Sequence, residues 1–126
     1  MPHSSTFLRI DVIFLLHHLK FPYVKGYEMS RLVARKYCYE GRVQGVGFRR
    51  IAESVASAFK VTGYVMNLSD GRVEMHVEGP IDEIDHFVQE IDKTFHSKIT
   101  RVTQELVDLR KYNRFSVAFE KERVEM

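Results

Sequence analysis

The stretch Val61-Thr62-Gly63-Tyr64-Val65-Met66-Asn67-Leu68-Ser69-Asp70-Gly71-Arg72-Val73-Glu74-Met75-His76-Val77-Glu78 reads as two strands folded about a turn. Val61 to Leu68 is the outgoing strand, and Ser69-Asp70-Gly71 is a tight hairpin turn, because Asp-Gly supplies the unusual dihedrals such turns need. Arg72 to Glu78 returns, alternating Val73, Met75 and Val77 with Glu74, His76 and Glu78, so one face should be buried and the other wet. Gly79-Pro80 then opens a helix, since Pro is tolerated in a first helical turn and Asp82 and Glu83 suit the positive end of its dipole. The apolar stripe of that helix is Ile84, Phe87, Val88, Ile91 and Phe95, and His86 falls off it toward solvent.

Working backward from the hairpin, Phe48, Ile51, Ala52, Val55, Ala58 and Phe59 recur at helical spacing, which predicts a helix over Phe48 to Phe59. Before it, Leu32 to Val43 is rich in Val, Tyr and Cys and reads as a strand. Working forward, Ile99 to Val107 and Phe115 to Phe119 are weaker strands. The order is βαββαβ plus a C-terminal strand. That is the ferredoxin-like split βαβ arrangement, an α+β fold with two helices on one face of a mainly antiparallel sheet. Many unrelated functions share this fold, so the site must decide the function.

Between the first strand and first helix lies Gly41-Arg42-Val43-Gln44-Gly45-Val46-Gly47-Phe48-Arg49. Glycines relax the limits on φ and let backbone approach a ligand, and the first N–H groups of a helix are unpaired and partly positive. Such a loop suits a phosphate. It lacks the Gly-x-x-x-x-Gly-Lys-Ser/Thr pattern and the third glycine of a dinucleotide fingerprint, so neither ATP nor NAD binding is supported.

The 126 residues fit one domain, with ordinary hydrophobic (44%) and charged (29%) content. A net charge of +2 announces no nucleic-acid or membrane surface, although Arg42, Arg49 and Arg50 gather around the glycine loop. Cys38 is the single cysteine, so no intrachain disulfide forms and a cytoplasmic setting is the default. Within a strand it is expected to be a small buried apolar residue. The six histidines show no HExxH or Cys-pair companion, and no metal is expected. Apolar Phe7, Leu8, Ile10 and Val12 to Leu16 are interrupted by Arg9 and Asp11, too short a run for a membrane span or a signal segment.

Gly41 to Arg49 and Gly63 to Glu74, with the helix between them, resemble the two signature segments of acylphosphatases, and the step Glu78-Gly79-Pro80 adds to the likeness. The resemblance spans Arg31 to Lys121. It implies hydrolysis of acyl phosphates to a carboxylate and inorganic phosphate, without metal or cofactor; a monomer is expected. Sulfate would mimic the product. By the same resemblance Gln44, Gly45, Val46, Gly47, Phe48 and Arg49 form the phosphate cradle, Arg49 is the catalytic arginine, and Asn67 positions the attacking water. Physical chemistry favours these roles: a guanidinium forks onto two phosphate oxygens, and an amide can both accept from water and donate to substrate.

Residues 1–30 are then an N-terminal extension or linker, dispensable if Met29 is the functional start, and 31–126 the acylphosphatase-like domain. Two positions depart from the family pattern: Lys60 stands where a glycine commonly ends the first helix, and Phe95-His96-Ser97-Lys98 lacks a Gly-Pro step. A non-catalytic anion-recognition module on the same scaffold is the alternative. An RNA-binding reading would need exposed strand aromatics, for which Tyr37, Tyr39 and Tyr64 are the candidates.

Overall fold

The computed structural model describes residues 31–120. The extension expected over residues 1–30, including the start at Met29, lies outside the described residues, as do residues 121–126. The elements are β1 (Leu32–Gly41), α1 (Phe48–Ala56), β2 (Thr62–Asn67), β3 (Val73–Pro80), α2 (Ile81–Thr94), β4 (Ile99–Val107) and β5 (Phe115–Val117). They form one five-stranded sheet in the order β4-β1-β3-β2-β5, antiparallel except where β5 runs parallel to β2. This is the ferredoxin-like α+β fold expected from the order of elements.

The pleat decides what each strand buries. Tyr37 and Tyr39 of β1, Val65 of β2 and Val73, Met75 and Val77 of β3 are inaccessible and join Phe48, Ala52, Ile84, Phe87, Val88 and Ile91 from the helices. Phe48 stacks on Phe95 at 4.5 Å between ring centroids and tilts against Tyr39 at 5.0 Å, so the first residue of α1 is an anchor in the core. The full burial of Tyr37 and Tyr39 removes two aromatics on which an RNA-binding sheet face would depend. Beneath α2, Arg35 of β1 donates to the buried Asp85 at 3.1 Å, a tie that the apolar stripe does not reveal.

The other face of β3 is dry, contrary to the alternation reading. Glu74, His76 and Glu78 are all buried. The reason is topological: β4 and β5 lie at opposite edges of the sheet, so residues 108–114 connect them across the face away from the helices. There the N–H groups of Arg110 and Lys111 donate to Glu78 at 2.5 and 2.9 Å, and His76 Nε2 donates to Glu78 at 2.7 Å. Tyr112 sets its ring edge-on to both His76 and Tyr64, and the Tyr64 hydroxyl donates to Glu74 at 2.5 Å. A polar face buried this way is tolerable only because its carboxylates are so fully bonded.

Three further expectations need correction. The first helix ends at Ala56 rather than Phe59, and the chain continues in tighter i→i+3 turns that leave Ala58 exposed. With no glycine at position 60, the Lys60 N–H is instead satisfied by Glu83 Oε1 of α2 at 2.8 Å. The first strand stops at Gly41, where its register with β4 shifts, and Val43 leaves the strand to plug the core. Cys38 is half-buried on the outer face, accepting from Arg72 Nη1 at 3.2 Å, rather than sunk in the core. Burial raises its thiol pKa more than Arg72 lowers it.

Candidate active site

The loop after β1 reaches α1 through two left-handed glycines, Gly45 at φ 77° and Gly47 at φ 82°. Gly47 caps α1 without any side-chain hydrogen bond, and its carbonyl accepts from the Ile51 N–H at 3.0 Å. The N–H groups of the first turn therefore point out of the helix with no side chain capping them, which is the geometry of an anion site. A Cβ at Gly45 would meet nothing within 4 Å, and one at Gly47 only Ile51 Cδ1 at 3.8 Å. Within the protein, then, the backbone conformation requires these glycines and crowding does not.

Asn67 is the last residue of β2 and shares the helix-side face with Val65, which aims it at the start of α1. The two halves of the site are tied together by Gln44. Its side-chain amide donates to the carbonyls of Leu68 and Arg72, at 2.8 and 2.9 Å, across the mouth of the hairpin. The turn is closed by the Leu68 N–H on the Arg72 carbonyl at 2.8 Å, and Asp70 clamps Arg72 through its backbone N–H and its Nε. Those bonds, the backbone one foremost, hold the Asp70 carboxyl below its ordinary pKa.

An open pocket of about 460 Å³ lies where loop, helix start and hairpin meet. Gly45, Gly47, Phe48, Arg49 and Asn67 line it together. Gln44 and Val46 do not: Gln44 is committed to the hairpin, and Val46 packs against the core. Of the three loop arginines, Arg49 and Arg50 border the pocket and Arg42 does not. Arg49 makes no ion pair among the described residues, so its guanidinium is uncommitted to a carboxylate.

Sequence reasoning missed the fourth wall. Val117 and Phe119 complete the pocket, and the Arg49 guanidinium carbon sits 5.8 Å from the centre of the Phe119 ring. The signal was hidden in strand order, because pairing Val65 with Val117 brings the residues two further on, Asn67 and Phe119, to the same level. Glu53, one turn along α1, also borders the pocket and is exposed. Among the described residues no cluster of three or more metal-ligating side chains occurs, and no helix is long and apolar enough to cross a membrane.

A split βαβ sheet whose first helix start faces an amide across an arginine-bearing pocket is an α+β protein with a candidate anion site. The sequence model of the acylphosphatase family matches residues 35–117, and the chain belongs to that family, the hydrolases of acyl phosphates. It is 42% identical over 82 residues to the acylphosphatase of Bacillus velezensis, an alignment covering 64% of this chain and 91% of that protein. The corresponding protein of Bacillus subtilis is 39% identical over 82 residues. The crystal structure of acylphosphatase from Bacillus subtilis superposes with a TM-score of 0.64 over 70% of this chain and 99% of that one, at 36% identity. Full-length HypF, in a phosphate- and nucleotide-bound form, gives a TM-score of 0.64 at 29% identity, but only 12% of its length is covered.

Proposed function

We propose that this enzyme cleaves acyl phosphates by holding the phosphoryl group between the first-turn N–H groups of α1 and the Arg49 guanidinium, while Asn67 aims the attacking water. The observation that carries the proposal is the shared pocket: Gly45, Gly47, Arg49 and Asn67 meet on one cavity although 22 positions separate the first from the last. Phosphoryl transfer spreads charge over the equatorial oxygens, so catalysis rests on positioning and electrostatic stabilisation. The loop N–H groups and the forked N–H donors of Arg49 supply that stabilisation. The Asn67 side-chain oxygen accepts from the water and its amide donates to the substrate.

Attack at phosphorus forms the new P–O bond and breaks the bond to the acyl oxygen. A carboxylate leaves without needing a proton, and a phosphate oxygen of the substrate takes the proton from water. No general acid or base is therefore required of the protein, and no metal or cofactor enters the scheme. Inorganic phosphate is the second product, with sulfate as its mimic. The single cysteine, which can form no intrachain disulfide, supports a cytoplasmic setting, and the working unit in this proposal is a monomer.

The experiment is hydrolysis of benzoyl phosphate in the presence of a chelator. Turnover by the wild type that survives the chelator supports the scheme. A pH–rate profile governed by an enzyme group titrating near neutrality would contradict the substrate-assisted proton transfer.

A further inference from the structure

Arg49 has an aromatic neighbour where a buried or half-buried arginine usually has a carboxylate. We propose that Phe119 is a positioning residue for Arg49, its ring holding the guanidinium by a cation–π contact so that the N–H donors stay directed at the phosphate. The proposal rests on the reading of Arg49 as the phosphate-binding arginine.

Three observations support it. The guanidinium carbon lies 5.8 Å from the Phe119 ring centre, inside the range of a cation–π attraction. Arg49 forms no ion pair among the described residues, so the ring is not redundant with a carboxylate. Phe119 is 54% exposed, so core burial does not explain where its ring sits. The chain bearing the ring is itself fastened: the Ala118 N–H donates to the Val65 carbonyl at 2.9 Å, and Glu120 Oε1 accepts from the Ser69 N–H at 2.7 Å. The ring is thus anchored to the strand and turn that flank Asn67.

A carboxylate would restrain Arg49 equally well, but by occupying the donors that a phosphate needs and by cancelling positive charge. A ring restrains the side chain without consuming a hydrogen bond. This lowers the ordering cost that a long, free arginine would otherwise pay when phosphate arrives.

The test measures the dissociation constant of inorganic phosphate by NMR titration, together with relaxation of the Arg49 Nε–H group, in the wild type, Phe119→Leu, Phe119→Tyr and Arg49→Ala. Circular dichroism checks the fold. Phe119→Leu is expected to weaken phosphate about threefold and to mobilise Arg49, with Phe119→Tyr restoring both. Unchanged affinity or unchanged Arg49 mobility in Phe119→Leu, or equal weakening in the leucine and tyrosine variants, would overturn the proposal. Wild-type phosphate affinity in Arg49→Ala would overturn the parent reading, and this one with it.

Discussion

In the proposed mechanism Arg49 and Asn67 divide the work by their chemistry. A lysine at position 49 keeps the charge but loses the planar fork, so Arg49→Lys should lower kcat/KM by about a hundredfold or more, as loss of an oxyanion donor does. Steady-state kinetics on benzoyl phosphate checks this; a loss under threefold would mean that charge alone suffices. The glycines make a different demand. Gly47→Ala meets no crowding but forces a side chain to φ 82°, and should cost about 1 kcal/mol in urea denaturation. Gly63→Ala is the opposite case, since its Cβ would sit 1.8 Å from the His76 carbonyl oxygen of β3. That contact pries β2 from β3, and the thermal midpoint should fall by roughly 10 °C or more.

The loop and hairpin act as one unit through the Gln44 side chain, and the crossover of residues 108–114 acts as a cover over β3. Gln44→Ala removes the two hydrogen bonds that tie the loop to the hairpin and lets Asn67 drift from the loop. We expect kcat to fall at least about tenfold with the circular dichroism spectrum retained. The cover depends on Glu78. Burial works to raise its pKa, but the His76 hydrogen bond and the Arg110 and Lys111 N–H groups outweigh it, and the net shift is downward. A carboxyl with a depressed folded pKa contributes stability that is complete above its ordinary value of about 4.3 and is lost as pH falls through the lower folded value. Urea midpoints measured from pH 6 to pH 2 should therefore decline in the acid range, and Glu78→Gln should flatten part of that decline while lowering stability at pH 6.

Across the molecule, what the chain reveals of itself follows the range of the interaction. The helix stripes, the Asp70-Gly71 turn and the Gly45-Val46-Gly47 loop are local patterns, and the element order with its ferredoxin-like fold was legible from them. Arg49 and Asn67 could be named as candidates because each lies in a segment that resembles a family signature, and both line one pocket. The buried Glu74, His76 and Glu78 face was not legible, because alternation reports two faces and cannot say that a later crossover seals the second. Phe119 was hidden for the same reason: only the parallel pairing of β5 with β2 carries it to the site. Lys60 shows a long-range partner, Glu83, replacing a local signal, the missing glycine. The division of labour within the pocket is open to one comparison, that of kcat and the phosphate inhibition constant for Arg49→Ala and Asn67→Ala with benzoyl phosphate. The predicted result is that Arg49→Ala loses rate and phosphate affinity together, whereas Asn67→Ala loses rate with phosphate affinity nearly kept. Wild-type rates in either variant, or equal loss of phosphate affinity in both, would contradict it.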